Sequence, residues 1–189
     1  LDYCKTQKNA VVIGGGLLGL EAAYGLKQRG MNVTVLHLMD RIMERQLDGR
    51  ASGLLRQSIE AKGINIITQA NTEQLIGEEG HVTQIKLKDG TVLDADLVVF
   101  AVGIRPNMAL AQSAGLRCNR GVMVNDTMQT FDPSIYAVGE CIEHRGQTFG
   151  LVELLWGQAF ICASHLAEHG SLTFKAPTVP TQLKVSGYD

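Results

Sequence analysis

Residues 10–23 read Ala10-Val11-Val12-Ile13-Gly14-Gly15-Gly16-Leu17-Leu18-Gly19-Leu20-Glu21-Ala22-Ala23, a short apolar run that meets a glycine cluster and continues with helical spacing. The run fits a buried strand, and Leu17 to Arg29 fits an amphipathic helix closed by Gly30. Val33 to Leu36 then form a second buried strand, so strand, helix and strand fit in about 30 residues, the span of a βαβ unit. Working outward, Asp48 is placed to cap a second helix running to Lys62, with Leu54, Leu55, Ile59 and Ala61 as its apolar positions. Gly63 ends that helix before Ile64 to Ile67, a third parallel strand. From Thr72 the period becomes alternating: residues 73–77, 81–87 and 91–94 are separated by Glu78-Glu79-Gly80 and by Asp89-Gly90, which predicts an antiparallel meander. Leu97 to Val102 is a wholly apolar strand that stops at Gly103, and Arg105-Pro106-Asn107 marks an exit from the domain. A boundary near 105–110 follows. Beyond it the pattern predicts short strands at 122–124 and 135–138, a helix from about Leu154 to Glu168, and a Pro-containing connector at 176–181. The class is α/β.

Gly14-Gly15-Gly16-Leu17-Leu18-Gly19 fits GxGxxG between a strand and a helix, the setting that the dinucleotide fingerprint requires. Gly14 permits the tight turn, Gly16 lets backbone approach a pyrophosphate with no Cβ in the way, and Gly19 lets the helix sit close to the strand. Free N–H groups and the helix dipole then favour an anion at the N-terminus. The same fingerprint expects an acid at the end of the second strand to hold a ribose hydroxyl, and that position is His37. The nearest carboxylate is Asp40, and Arg41 is a candidate cation for a 2′-phosphate. With the usual device for rejecting NADPH missing, the expectation is use of both NADH and NADPH, within about tenfold in dissociation constant. Glu21 read alone is a first-turn helix acid suited to the dipole.

Composition narrows the alternatives. The 189 residues are 45% hydrophobic and 19% charged, enough for one sizeable domain or two small ones. Seventeen Lys and Arg against nineteen Asp and Glu give a net charge of -2, which leaves no basic excess for a nucleic acid partner. The longest apolar run, Ala10 to Leu20, is well short of the roughly 18 residues that span a bilayer. Cys4, Cys118, Cys141 and Cys162 show no CxxC pair and read as reduced thiols of a cytoplasmic protein. His81, His144, His165 and His169 lack metal-ligand spacing, so no metal site is expected. The chain begins at Leu1 and ends at Val185-Ser186-Gly187-Tyr188-Asp189, inside an apparent strand, and reads as an internal segment of a longer polypeptide.

Three blocks carry a resemblance: GGGLLGLEAA at 14–23, VVFAVGIRPN at 98–107 and TFDPSIYAVGEC at 130–141. In this order they resemble the pyridine nucleotide-disulfide oxidoreductase superfamily of FAD- and NAD(P)H-binding flavoproteins. Residues 36–48 (LHLMDRIMERQLD) and 136–141 (YAVGEC) are most similar to the large subunits of assimilatory NAD(P)H-dependent nitrite reductases. The resemblance implies a Rossmann-like three-layer NAD(P)H-binding domain with its meander over residues 1–108, inserted in an FAD-binding domain whose C-terminal half and the start of the following segment occupy 109–189. It implies that the loop from Gly14 through Gly15, Gly16, Leu17 and Leu18 to Gly19 meets the NAD(P)H pyrophosphate, and that Glu21 lies near the nicotinamide. Val102 and Gly103 approach the nucleotide, and Gly139 and Glu140 meet the FAD, with Glu140 standing where the superfamily usually has Asp. The first FAD half, the siroheme and the [2Fe-2S] centre are expected only outside this chain. So are the partner domains, with self-association through the exposed half-domain surface as a further expectation. The chemistry expected is hydride transfer from NAD(P)H to FAD, with no acid, base or nucleophile assigned. The rivals are a rubredoxin or ferredoxin reductase-like flavoprotein, and a non-enzymatic NAD(P)H-sensing or apoptosis-inducing-factor-like module.

Overall fold

The computed structural model describes residues 2–177 and 183–185. The chain divides into two compact units, Leu1–Val102 with Thr181–Asp189, and Gly103–Pro180.

The first unit opens with a single helical turn, α1 (Tyr3–Thr6), and then builds a parallel sheet from β1 (Asn9–Ile13), β2 (Asn32–Leu36), β3 (Ile64–Ile67) and β7 (Leu97–Phe100), in the order β3-β2-β1-β7. Val12 lies beside Val35 on one side and Val99 on the other. Side chains alternate between the faces of this sheet. Ala10, Val12, Val33, Val35, Ile64 and Ile66 point to one face, where Leu20 and Ala23 of α2 (Leu17–Lys27) and Ile59 of α3 (Gly49–Ala61) cover them. Val11 and Leu36 point to the other, against Ile85 and Leu87. Those two residues belong to an antiparallel meander, β4 (Thr72–Glu78), β5 (His81–Leu87) and β6 (Val92–Asp94), paired in that order. Helices, parallel sheet and meander make the three layers, and the burial of a strand on both faces explains why β1 reads as a continuous apolar run.

Several boundaries differ from the sequence reading. The helix α2 ends at Lys27 rather than Arg29, because the Gly30 N–H already bonds the Lys27 carbonyl at 2.9 Å. The strand β7 stops at Phe100, two residues early, and Phe100 and Val102 are exposed. In α3, Asp48 caps as expected, accepting from the Ala51 N–H at 2.8 Å. Leu54 and Ala61 nevertheless face solvent, while Ser52 is buried with its hydroxyl donating to the Ile42 carbonyl at 2.8 Å.

The second unit contains α4 (Ala109–Ser113), β8 (Val122–Val124), β9 (Ile142–His144), β10 (Gln147–Thr148) and α5 (Val152–Leu166). The sheet runs β10-β9-β8, with β8 parallel to β9 and a tight hairpin between β9 and β10. The expected strand at 135–138 does not form: it makes an isolated bridge, Gln129 with Tyr136, and no ladder. A strand needs a neighbour for its backbone groups, and this segment finds none beyond that bridge. The parallel partner of β8 is instead β9, which the sequence reading missed because Glu143 and His144 disguise it. Both are buried, Glu143 accepting from the Arg120 N–H at 2.7 Å and His144 Nε2 lying 2.8 Å from an Asp126 oxygen. The Arg145 guanidinium holds the same carboxylate through Nε and an Nη, at 2.9 and 2.6 Å. Met128, Ile142, Phe149, Ile161 and Phe174 form this unit's core. The helix α5 presents Val152, Trp156 and Phe160 to solvent, one turn apart on one face. Of the connector at 176–181, residues 178–181 lie outside the described residues, as do 186–189; Leu183 to Val185 are not a strand.

Candidate functional site

In the first unit the glycine loop sits at the C-terminal end of β1, where ligands of open α/β sheets bind. Gly14 has a φ of 119°, and a Cβ there would strike the carbonyl of Ala101. A Cβ on Gly19 would strike the carbonyl of Gly14 and come within 3.3 Å of the Ala101 methyl. These two glycines therefore serve the packing of loop, helix and β7. Gly16 differs: a Cβ there meets nothing within 4 Å, and its φ of -86° suits any residue. The space it leaves open is free of protein. Gly16 is also the N-cap of α2, with no side-chain cap and no acid in the first turn, so first-turn N–H groups keep their capacity for an anion. Leu17 packs into the core and Leu18 is exposed.

Gly15, the position that the fingerprint leaves variable, is glycine here for a reason of its own. A Cβ would come within 2.9 Å of His37 Cγ and of Ile42 Cγ2. His37 is buried at 8% exposure. The Gly15 N–H donates to His37 Nδ1 at 3.0 Å. An amide N–H only donates, so Nδ1 is the acceptor and the ring proton sits on Nε2, which donates to Glu44 Oε2 at 3.1 Å. The Gly15 carbonyl in turn accepts the Met43 N–H at 3.0 Å. The loop after β2 is thus folded back on the glycine turn. Arg41 of this loop is half-buried, with one Nη 3.4 Å from the Asp40 carboxylate and its Nε buried without a partner among the described residues.

Glu21 accepts the backbone N–H of Lys184 at 2.9 Å, a contact invisible in the sequence. Val102 is 69% exposed, with its amide beside Gly14.

In the second unit Gly139 has a φ of 99° and open space where a Cβ would be. Its N–H donates to Oε1 of Gln158 at 2.8 Å. Gln158 is fully buried on α5, and its Nε2 has no partner among the described residues. Glu140 is exposed. Gly103, at the start of this unit, has a φ of 89° and an unobstructed Cβ direction. Sequence reasoning missed Glu44, Gln158 and Ala101. The one available signal was the extra glycine at position 15, whose close neighbour is His37, the partner of Glu44. Among the described residues no group of His, Cys, Asp or Glu could hold a metal ion, and no helix is long and apolar enough to cross a membrane.

Known proteins share this arrangement. Residues 1–156 match the family model described as pyridine nucleotide-disulphide oxidoreductase. The nitrite reductase [NAD(P)H] of Bacillus subtilis (strain 168) is 50% identical over 189 residues, all of this chain and 23% of that protein. The rubredoxin-NAD(+) reductase of Pseudomonas putida is 38% identical over 178 residues, covering 91% of this chain and 46% of that one. The ferredoxin reductase for the CYP199A2 system of Rhodopseudomonas palustris superposes with a TM-score of 0.84 at 31% identity, covering 93% of this chain and 45% of that structure. The chain spans under a quarter of the nitrite reductase and under half of the two reductases. A family match over most of its length, on a three-layer fold with the glycine turn intact, makes this chain a member of the pyridine nucleotide-disulphide oxidoreductase family.

Proposed function

We propose that this chain is the NAD(P)H-binding segment of a flavoprotein oxidoreductase that passes hydride from NAD(P)H to FAD, for nitrite reduction to ammonia by further domains of the same polypeptide. The observation that carries the reading is the protein-free space over Gly16 at the uncapped start of α2, the one fingerprint glycine that packing does not explain. A pyrophosphate there would be held by first-turn N–H groups with no side chain intervening. The identity of 50% over the whole chain supports nitrite as the final acceptor. A rubredoxin-type acceptor is the second reading, supported by 38% identity over 178 residues.

The flavin-binding lobe is read within residues 109–189. The residues there fit FAD: Gly139 leaves open space at its Cα, Glu140 offers an exposed carboxylate for a ribitol hydroxyl, and Gln158 holds the turn between them from beneath. FAD, when bound, accepts the hydride and supplies the redox chemistry. The chain itself orients the dinucleotide through residues 14–19 and keeps Glu21 for its reacting end. Siroheme and a [2Fe-2S] centre would be held by further domains of the polypeptide, and self-association through the exposed half-domain surface is part of the same reading.

Calorimetric titration of NADH and NADPH into the wild-type chain and Gly16→Val tests it. Binding by the wild type that falls at least tenfold in the variant is expected. Equal affinities, or none in the wild type, overturn the reading.

A further inference from the structure

The end of β2 lacks the acid that would hold an adenosine ribose, and the residue that stands there, His37, has both ring nitrogens committed inside the protein. Its Nε2 is committed to a carboxylate. We propose that Glu44, held in place through His37, is the ribose-binding acid of this nucleotide site and makes the chain select NADH over NADPH; the assignment rests on the dinucleotide reading above.

Four observations converge on it. Glu44 Oε2 accepts the hydrogen bond from His37 Nε2–H, which leaves Oε1 without a protein partner among the described residues, on a side chain that is 28% exposed. The carboxylate is therefore fixed at one oxygen and available at the other, as an acceptor of ribose hydroxyls must be. Its support is continuous with the fingerprint, running from the Gly15 N–H through the imidazole to Glu44. The backbone that delivers it is strained: Met43, buried, has a φ of 52°, a conformation costly for a side chain of its kind and one that persists where surrounding structure imposes it. Here the Met43 N–H bond to the Gly15 carbonyl imposes it, so one glycine positions Glu44 through both its amide and its carbonyl. Finally, the absent Cβ of Gly15 is what lets the ring in.

The consequence is charge selection. A carboxylate beside the ribose accepts hydrogen bonds from 2′- and 3′-hydroxyls and repels a 2′-phosphate. Arg41, the competing candidate, is half-buried, with one Nη 3.4 Å from the Asp40 carboxylate and a buried Nε that has no partner among the described residues, so it stands as the rival that the experiment must separate from Glu44. Use of both dinucleotides, expected from the missing acid at 37, gives way to NADH preference.

The experiment measures dissociation constants of NADH and NADPH by calorimetry for the wild-type chain, Glu44→Gln, His37→Gln and His37→Leu, with thermal unfolding as the control for folding. The wild type should favour NADH at least tenfold. Glu44→Gln should bring the two constants within about threefold, chiefly by weakening NADH and relieving NADPH. His37→Gln, which can accept from Gly15 and donate to Glu44 at once, should keep most of the preference, whereas His37→Leu should lose it. A merely structural histidine would weaken both dinucleotides equally. An unchanged ratio in Glu44→Gln overturns the assignment and leaves the dinucleotide reading standing. A wild type that favours NADPH, with that preference removed by Arg41→Ala, also overturns it. Absence of binding by either dinucleotide in the wild type overturns both.

Discussion

His37 Nδ1 and the Gly15 N–H meet at 3.0 Å, and the ring occupies the volume that a side chain at position 15 would take. The histidine that ends β2 and the glycine that starts the turn after β1 are therefore one structural unit, and their substitutions are coupled.

Gly15→Ala should destabilise the first unit by about 1–3 kcal/mol, because the new methyl overpacks against His37 and Ile42 in a buried site. Denaturant unfolding followed by circular dichroism checks this. A neutral Gly15→Ala would mean that the ring moves aside at no cost.

The fingerprint glycines Gly19 and Gly16 should fall into different classes. Gly19→Ala drives a methyl into the Gly14 carbonyl and should cost about 3 kcal/mol or more, or prevent folding. Gly16→Ala meets no protein atom and should cost about 1 kcal/mol or less, the loss of a preferred N-cap residue, while weakening dinucleotide binding. Unfolding curves and titrations on the same samples distinguish lost fold from lost ligand.

In the second unit, the Arg145 guanidinium and the His144 ring hold the Asp126 carboxyl well below the usual carboxylate range. A carboxyl whose pKa is lower folded than unfolded adds stability above its unfolded pKa of about 3.9, and that stability is lost as pH falls towards the folded value. The Arg120 N–H, with Asn119 assisting, lowers the Glu143 carboxyl in the same direction. Protection of the β8 and β9 amides, taken relative to their intrinsic exchange rates, should therefore fall on acidification below about pH 5. In Asp126→Asn, protection should start lower and depend less on pH. A pH dependence identical to wild type would exclude Asp126 as its source.

Gln158 supplies the acceptor for the Gly139 N–H from a fully buried position. Gln158→Met keeps the volume and removes that acceptor, so the Gly139 amide should exchange at least tenfold faster, with the core around Ile161 little changed. Glu at this position retains an acceptor and should preserve Gly139 protection at high pH better than Met does. Site-resolved hydrogen exchange reads both variants.

Much of the first unit was legible because its signals are local. The strand β1, buried on both faces at Ala10, Val11 and Val12, has to be apolar there. Asp48 caps α3 with its own side chain, and the meander's turns carry the residues that those turns need. In the second unit the same reasoning misplaced a strand. Residues 135–138 have strand-like composition but find a single bridge, Gln129 with Tyr136, whereas β9 hides two buried polar residues whose partners include Arg120, Asn119 and Asp126 from elsewhere in the chain.

The GxGxxG spacing by itself determined that a helix N-terminus stands open after β1, because glycine's missing Cβ and the strand-turn-helix periodicity act over a few residues. Only the tertiary structure decided what surrounds that opening. The distances from Gly15 to His37, from His37 to Glu44 and from Glu21 to Lys184 depend on where separate segments come to rest against one another. A hydrogen bond between residues 22 or 163 positions apart leaves no mark in either local stretch of sequence.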